Sequence, residues 1–154
     1  GLLSNRDKQY VIDKQIGGMW IRSHPKAQLP LEIQTATSGG AAEIKFYIGD
    51  DVNAAAAEGN PASCELVMRF KEAMEDDDLQ LKLNGVFLPQ EQGKTEYKPT
   101  LFSKEHWFHL PFKARLLKTG INRLEFILRA RNPRVAAPLV LADMSVGIDY
   151  GTGK

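Results

Sequence analysis

One Asn-Gly pair, Asn84-Gly85, constrains what this chain can fold into more than any other feature. Upstream of it Leu79, Leu81 and Leu83 alternate with Gln80 and Lys82; downstream, apolar residues resume at 86–88. Alternation at period two marks a strand with one buried face. Asn-Gly between two such runs predicts a two-residue hairpin, because both central residues of that turn need positive φ. Further on, Gly120 breaks the chain just before Leu124, Phe126 and Leu128 alternate with Arg123, Glu125 and Arg129. Two patterned strands therefore flank a segment, HWFHLPF, that holds Trp107, Phe108 and two histidines.

The rest of the chain repeats this period. Residues 8–16 read as a strand ended by Gly17-Gly18, with Trp20 beyond it as a core or sandwich-edge residue. In QLPLEIQT, Leu29, Leu31, Ile33 and Thr35 alternate with polar residues and Pro30, which cannot donate to a ladder and predicts an edge or strand start. Ile44, Phe46 and Ile48 share one face of the next strand, with Lys45 and Tyr47 on the other. NAAAAEGN predicts one or two helical turns stopped at Gly59. CELVMRF is a strand with Leu66, Met68 and Phe70 inward, and residues 139–150 alternate Met144, Val146, Ile148 and Tyr150 with polar or small residues. The polar stretch from 89 to 104 reads as a long loop. Roughly seven or eight short strands without a long amphipathic helix predict an all-β fold, an antiparallel β-sandwich or jelly roll.

A length of 154 residues suits one domain with a real core. With 20 basic and 19 acidic residues the net charge is +1, which argues against a nucleic-acid partner, since that needs a basic face. No apolar stretch reaches the roughly 20 residues a membrane helix requires. The start, GLLSNRDK, lacks a signal-peptide pattern and is read as the edge of a domain excised from a larger multidomain protein. Cys64 lies in an apolar run and reads as a small buried hydrophobe.

The elements LNGV (Leu83 to Val86) and LKTGIN (Leu117 to Asn122), with IKFYIGDDV and CELVMRF before them, resemble the galactose-binding-like jelly roll. That family includes carbohydrate-binding modules and sugar-binding accessory domains of glycoside hydrolases. The resemblance covers residues 41–150. It implies a non-catalytic carbohydrate-binding accessory domain of a polysaccharide-degrading enzyme, placed outside the cell or in the periplasm. A neighbouring domain of the parent chain would then be a partner. The motifs that carry it are turn chemistry, so they speak to fold before ligand.

Sugar recognition needs an apolar platform for a pyranose face beside directed hydrogen-bonding groups. Residues 97–109 hold this mixture, with Tyr97, His106, Trp107 and His109 as ligand-binding candidates. In a strand His106 and Phe108 share one face, Trp107 and His109 the other; Leu110 marks the Phe108 face as core. Two readings of Trp107 stand, an outward platform or a core tryptophan. Arg129, Arg131 and Arg134, with Arg123 on the same strand, form a second cluster able to meet an acidic or sulfated sugar, or simply a solvated face.

Other chemistry finds no pattern. His106-x-x-His109 falls on opposite strand faces, so no metal is expected there. The four acids at 75–78 read as a solvated turn; a structural calcium would need loop spacing that is absent. No cofactor motif and no G-x-S-x-G occurs, and no E-x-D-x-E strand carries paired carboxylates. The competing reading is a structural sandwich that packs against a neighbouring catalytic domain and binds no ligand.

Overall fold

Asn84 and Gly85 take φ of 50° and 86°, the left-handed pair that a two-residue hairpin demands. They join β5 (Asp78–Leu83) to β6 (Val86–Phe87), with Leu83 opposite Val86. The computed structural model describes residues 8–11, 28–35, 42–99 and 104–150. Trp20 and the end of the strand expected over 8–16 lie outside the described residues.

Around that hairpin the described strands form two antiparallel sheets, the β-sandwich that the alternation predicts. The four-stranded sheet runs β3 (Ala42–Ile48), β9 (Gly120–Ala130), β5, β6. The six-stranded sheet runs β1 (Lys8–Val11), β10 (Leu139–Asp149), β4 (Ser63–Lys71), β8 (Lys104–Lys113), β7 (Lys94–Pro99). In it β2 (Leu31–Ile33) also pairs with β10, beyond the end of β1. Just after β2, Thr35 bridges to Leu128 of β9, so this short segment touches both sheets. A helix, α1 (Val52–Ala57), follows β3; its first turn is capped by Asp51, whose carboxylate accepts from the Ala54 amide. It stops at Gly59, φ 87°.

The core is what the alternation selects. Ile44, Phe46 and Ile48 from β3 and Leu124, Phe126 and Leu128 from β9 face Leu66, Met68 and Phe70 from β4 and Met144, Val146 and Ile148 from β10. All are at most 5% exposed, and at about 25 cal/mol per Å² this apolar burial is the main driving force for folding.

Residues 89–104 differ from expectation. Instead of one long loop, KTEYKP forms β7, paired along β8 at the end of the larger sheet. Its lysines and Pro99 obscure the strand pattern in the sequence. Gly93 precedes it where the chain crosses the Phe108 ring; a Cβ there would lie 2.4 Å from a ring carbon. Only glycine admits that approach.

The acidic run at 75–78 also differs. Glu75 and Asp76 are exposed, but Asp77 is ion-paired at 2.7 Å with Arg131, both side chains over 90% buried. Arg131 also donates to the Glu72 and Ala137 carbonyls, at 2.6 and 3.1 Å. It lies beyond the end of β9 and closes one end of the sandwich.

At the other end sits Asn122, a fully buried polar residue. Its Oδ1 accepts from the Asn84 amide and the Lys118 N–H, both at 2.8 Å. Its Nδ2 donates to the Lys118 and Gly120 carbonyls, at 2.8 and 3.1 Å. Asn84 completes the lock, donating to the Leu116 carbonyl at 2.8 Å and accepting from the Arg123 N–H at 2.9 Å. Truncation would strand several part-buried partners, each costing about 1–3 kcal/mol. Asn122→Ala is therefore expected to lower unfolding free energy by roughly 2–4 kcal/mol, read as a lower urea midpoint at unchanged m-value.

Candidate functional site

Trp107 and His109 lie on the outer face of the larger sheet, since β8 alternates and on its other face Leu110 is fully buried and Phe108 packs against the core. The register assembles their neighbours in rows. Asp143, Arg69, Trp107 and Glu96 stand across β10, β4, β8 and β7; Ser145, Val67, His109 and Lys94 form the next row. Glu65 lies one row further along β4, opposite Pro111. A flat, half-buried indole thus sits among ionic groups drawn from four strands.

These groups hold one another in place. The Arg69 guanidinium carbon lies 5.9 Å from the Trp107 ring centroid, within cation–π range, and Arg69 Nε donates to Asp143 Oδ2. His109 bridges two carboxylates: its Nε2 is 2.8 Å from Glu96 Oε1, its Nδ1 3.7 Å from Glu65 Oε1. Such cross-strand pairing orders side chains that would otherwise move freely, which lowers the entropic cost of binding against them.

The other sequence candidates are dispersed. β7 sets Tyr97 opposite His106 in the register, and His106 in turn opposite core-facing Phe70, so His106 lies on the Phe108 side of the strand. Arg129 belongs to β9 of the other sheet and Arg131 lies just beyond its end, so neither is brought to Trp107. Arg129 pairs with Asp78 at 2.9 Å, while Arg131 is enclosed with Asp77. Arg69, Glu65 and Glu96 were not singled out from sequence. Their signal was present as the polar positions of alternating strands, but only the register shows that they flank Trp107.

Two clefts lie elsewhere. One, of about 440 Å³, opens between β6 and the end of β8, lined by Val86, Phe87, Pro89, Pro111, Phe112 and Leu116. Val86 and Phe87 are 46% and 52% exposed, and the Lys82 ammonium sits 4.9 Å from the Phe87 ring centroid. The other, of about 360 Å³, lies beside the Asn84-Gly85 turn and is lined by Lys45, Lys118, Ile121 and Arg123. Among the described residues no group of three or more His, Cys, Asp or Glu is placed to hold a metal ion. No helix of the described residues is long and apolar enough to cross a membrane.

Cys64 faces the core, 4% exposed. Burial first, and Asp50 second, push its thiol from 9.0 up to about 11. Thiolate, the reactive form, is then about one part in a thousand at pH 8. A chromogenic disulfide reagent at pH 8 is expected to leave Cys64 unmodified in the folded protein and to titrate one thiol in denaturant.

No family model and no curated protein matches the chain. Among solved structures, its fold is similar to a beta-porphyranase of glycoside hydrolase family 86 from the human gut bacterium Bacteroides plebeius. The TM-score is 0.55 at 15% identity, over 93% of this chain. The chain spans 20% of the length of that protein. At this identity the likeness is one of fold: a β-sandwich of the kind found within a glycoside hydrolase chain.

Proposed function

We propose that this chain is a non-catalytic carbohydrate-binding accessory domain of a polysaccharide-degrading enzyme, working outside the cell or in the periplasm. On this reading it is a galactose-binding-like jelly roll that forms one domain of a longer protein. The observation that carries the reading is the outer face of the larger sheet, where Trp107 is framed by Arg69, His109, Glu65 and Glu96. An indole offers an apolar surface to the C–H face of a pyranose, and the flanking groups offer directed donors and acceptors to its hydroxyls. Because those groups are already paired with each other, a sugar would meet a preorganised surface. The fold likeness to part of a glycoside hydrolase agrees with this setting.

The surface is open, so weak binding is expected, with Kd between about 1 μM and 1 mM, equivalent to roughly −8 to −4 kcal/mol. Calorimetry against neutral and acidic polysaccharides is expected to find one class that binds. Trp107→Ala should then reduce its affinity at least tenfold, or about 1.4 kcal/mol, with the unfolding midpoint little changed. A flat response to every glycan would overturn the proposal.

A second reading, a structural sandwich that packs against a neighbouring catalytic domain of the parent chain and binds no ligand, draws on the cleft at β6, where Val86 and Phe87 stand exposed beside Phe112 and Leu116. It predicts that no glycan binds and that Phe87→Ser lowers the thermal stability of the parent protein. Equal melting temperatures for the two parent proteins would remove it.

A further inference from the structure

The arginine cluster on β9 divides in the fold, and one part of it joins two lysines around a cleft. Lys45 on β3 and Arg123 on β9 stand directly opposite on the solvent face of the smaller sheet. Like charges at directly opposed positions weaken a strand pair. Arg123 is partly neutralised, with Glu125 at 3.0 Å and Glu43 at 3.8 Å. No ion pair holds the ammonium of Lys45 or of Lys118 among the described residues. Lys118 enters from the connection before Gly120, so three cationic side chains border one concavity of about 360 Å³.

The floor of that concavity is rigid. Asn84 and Asn122 line it, and their side-chain amides are spent on each other, on backbone groups of 116–120 and on the Arg123 N–H. They leave little for a ligand's neutral hydroxyls, whereas the cations have charge to give. Beside them Tyr47 and Ile121 are paired across the strands, 48% and 54% exposed, and form an apolar margin on which a sugar ring can rest. From this arrangement we infer that the cleft at Lys45, Lys118 and Arg123 binds an oxyanion carried by a sugar, a sulfate ester or a carboxylate. It is a site separate from the Trp107 face. The inference rests on the carbohydrate reading for the ligand's backbone, not for its charge.

One polymer with and without charge tests it: dextran sulfate, carboxymethyl dextran and dextran, as short oligomers titrated into the ¹⁵N-labelled protein. The two charged oligomers separate sulfate from carboxylate. Saturable shifts of the Gly85, Lys118 and Arg123 amides are expected with at least one of them, and none with dextran. Binding should weaken several-fold as salt rises from about 0.05 to 0.5 M, since these charges are exposed. Lys45→Ala/Lys118→Ala should lose about tenfold in affinity, and Lys71→Ala on the larger sheet none. The inference is overturned if neither charged oligomer moves those amides. Equal weakening by Lys71→Ala, which marks diffuse attraction only, overturns it too. A neutral glycan that shifts the Trp107 indole, while neither charged oligomer moves the cleft amides, would leave the carbohydrate reading standing and remove this one.

Discussion

The bond between the side chains of Asn84 and Asn122 is the constraint on which the rest of this structure depends. It joins the hairpin turn to β9 within the smaller sheet, and Asn84 donates as well to the Leu116 carbonyl in the connection that leads from β8 of the larger one. Neither asparagine can satisfy its amide unless both segments are in place, and inside a protein an unpaired amide is costly. The same connection is gripped by α1, through the Asn53 bond to the Leu117 carbonyl at 3.2 Å. Three asparagines therefore set how the chain passes from one sheet to the other. The apolar core supplies the driving force, but it is nondirectional. The amide network supplies direction.

At the opposite end Arg131 performs a comparable task with charge. A buried ion pair contributes less than its Coulomb energy implies, because both groups give up water. Its two carbonyl bonds, to Glu72 and Ala137, tie together loops that follow different strands. Together the two ends leave the outer sheet faces free of structural duty. Those faces carry the groups with chemistry to offer: Trp107 with Arg69 and His109 on the larger sheet, Lys45 with Arg123 on the smaller. As sugar-binding surfaces both are proposals, and they call for different ligand groups. An indole flanked by paired ions favours a neutral ring; a cleft edged by lysines favours an anion.

Particular residues show how far the sequence could be read. Asn84-Gly85 and Gly120 announced their turns because the chemistry of positive φ is local. Leu66, Met68 and Phe70 announced an inward face because strand period is local too. β7 stayed hidden, since an edge strand needs no apolar face and KTEYKP has none. Arg131 resembled a ligand group because Arg123, Arg129 and Arg131 share a sequence parity, and β9 ends before that parity reaches it. The site was legible only in part: strand parity set Trp107 and His109 on the face opposite Phe108 but left a core tryptophan as the competing reading, while Arg69, Glu65 and Glu96 could not be assigned to them.

The sequence by itself determined the patterned elements: which alternating segments are strands, where the main hairpin turns, and which side of each patterned strand is buried. These follow from backbone sterics and from the burial of alternating apolar residues, which act over a few positions. Tertiary structure alone decided which strands are neighbours and in what register. It therefore decided that Glu96 and Arg69 flank Trp107, that Asp77 claims Arg131, and that Lys45 faces Arg123. Pairing between residues far apart in the chain depends on how the whole core closes, and no local pattern encodes it. The Asn84-Gly85 turn spans both domains of cause: its shape was local, but its partner Asn122 came from the fold.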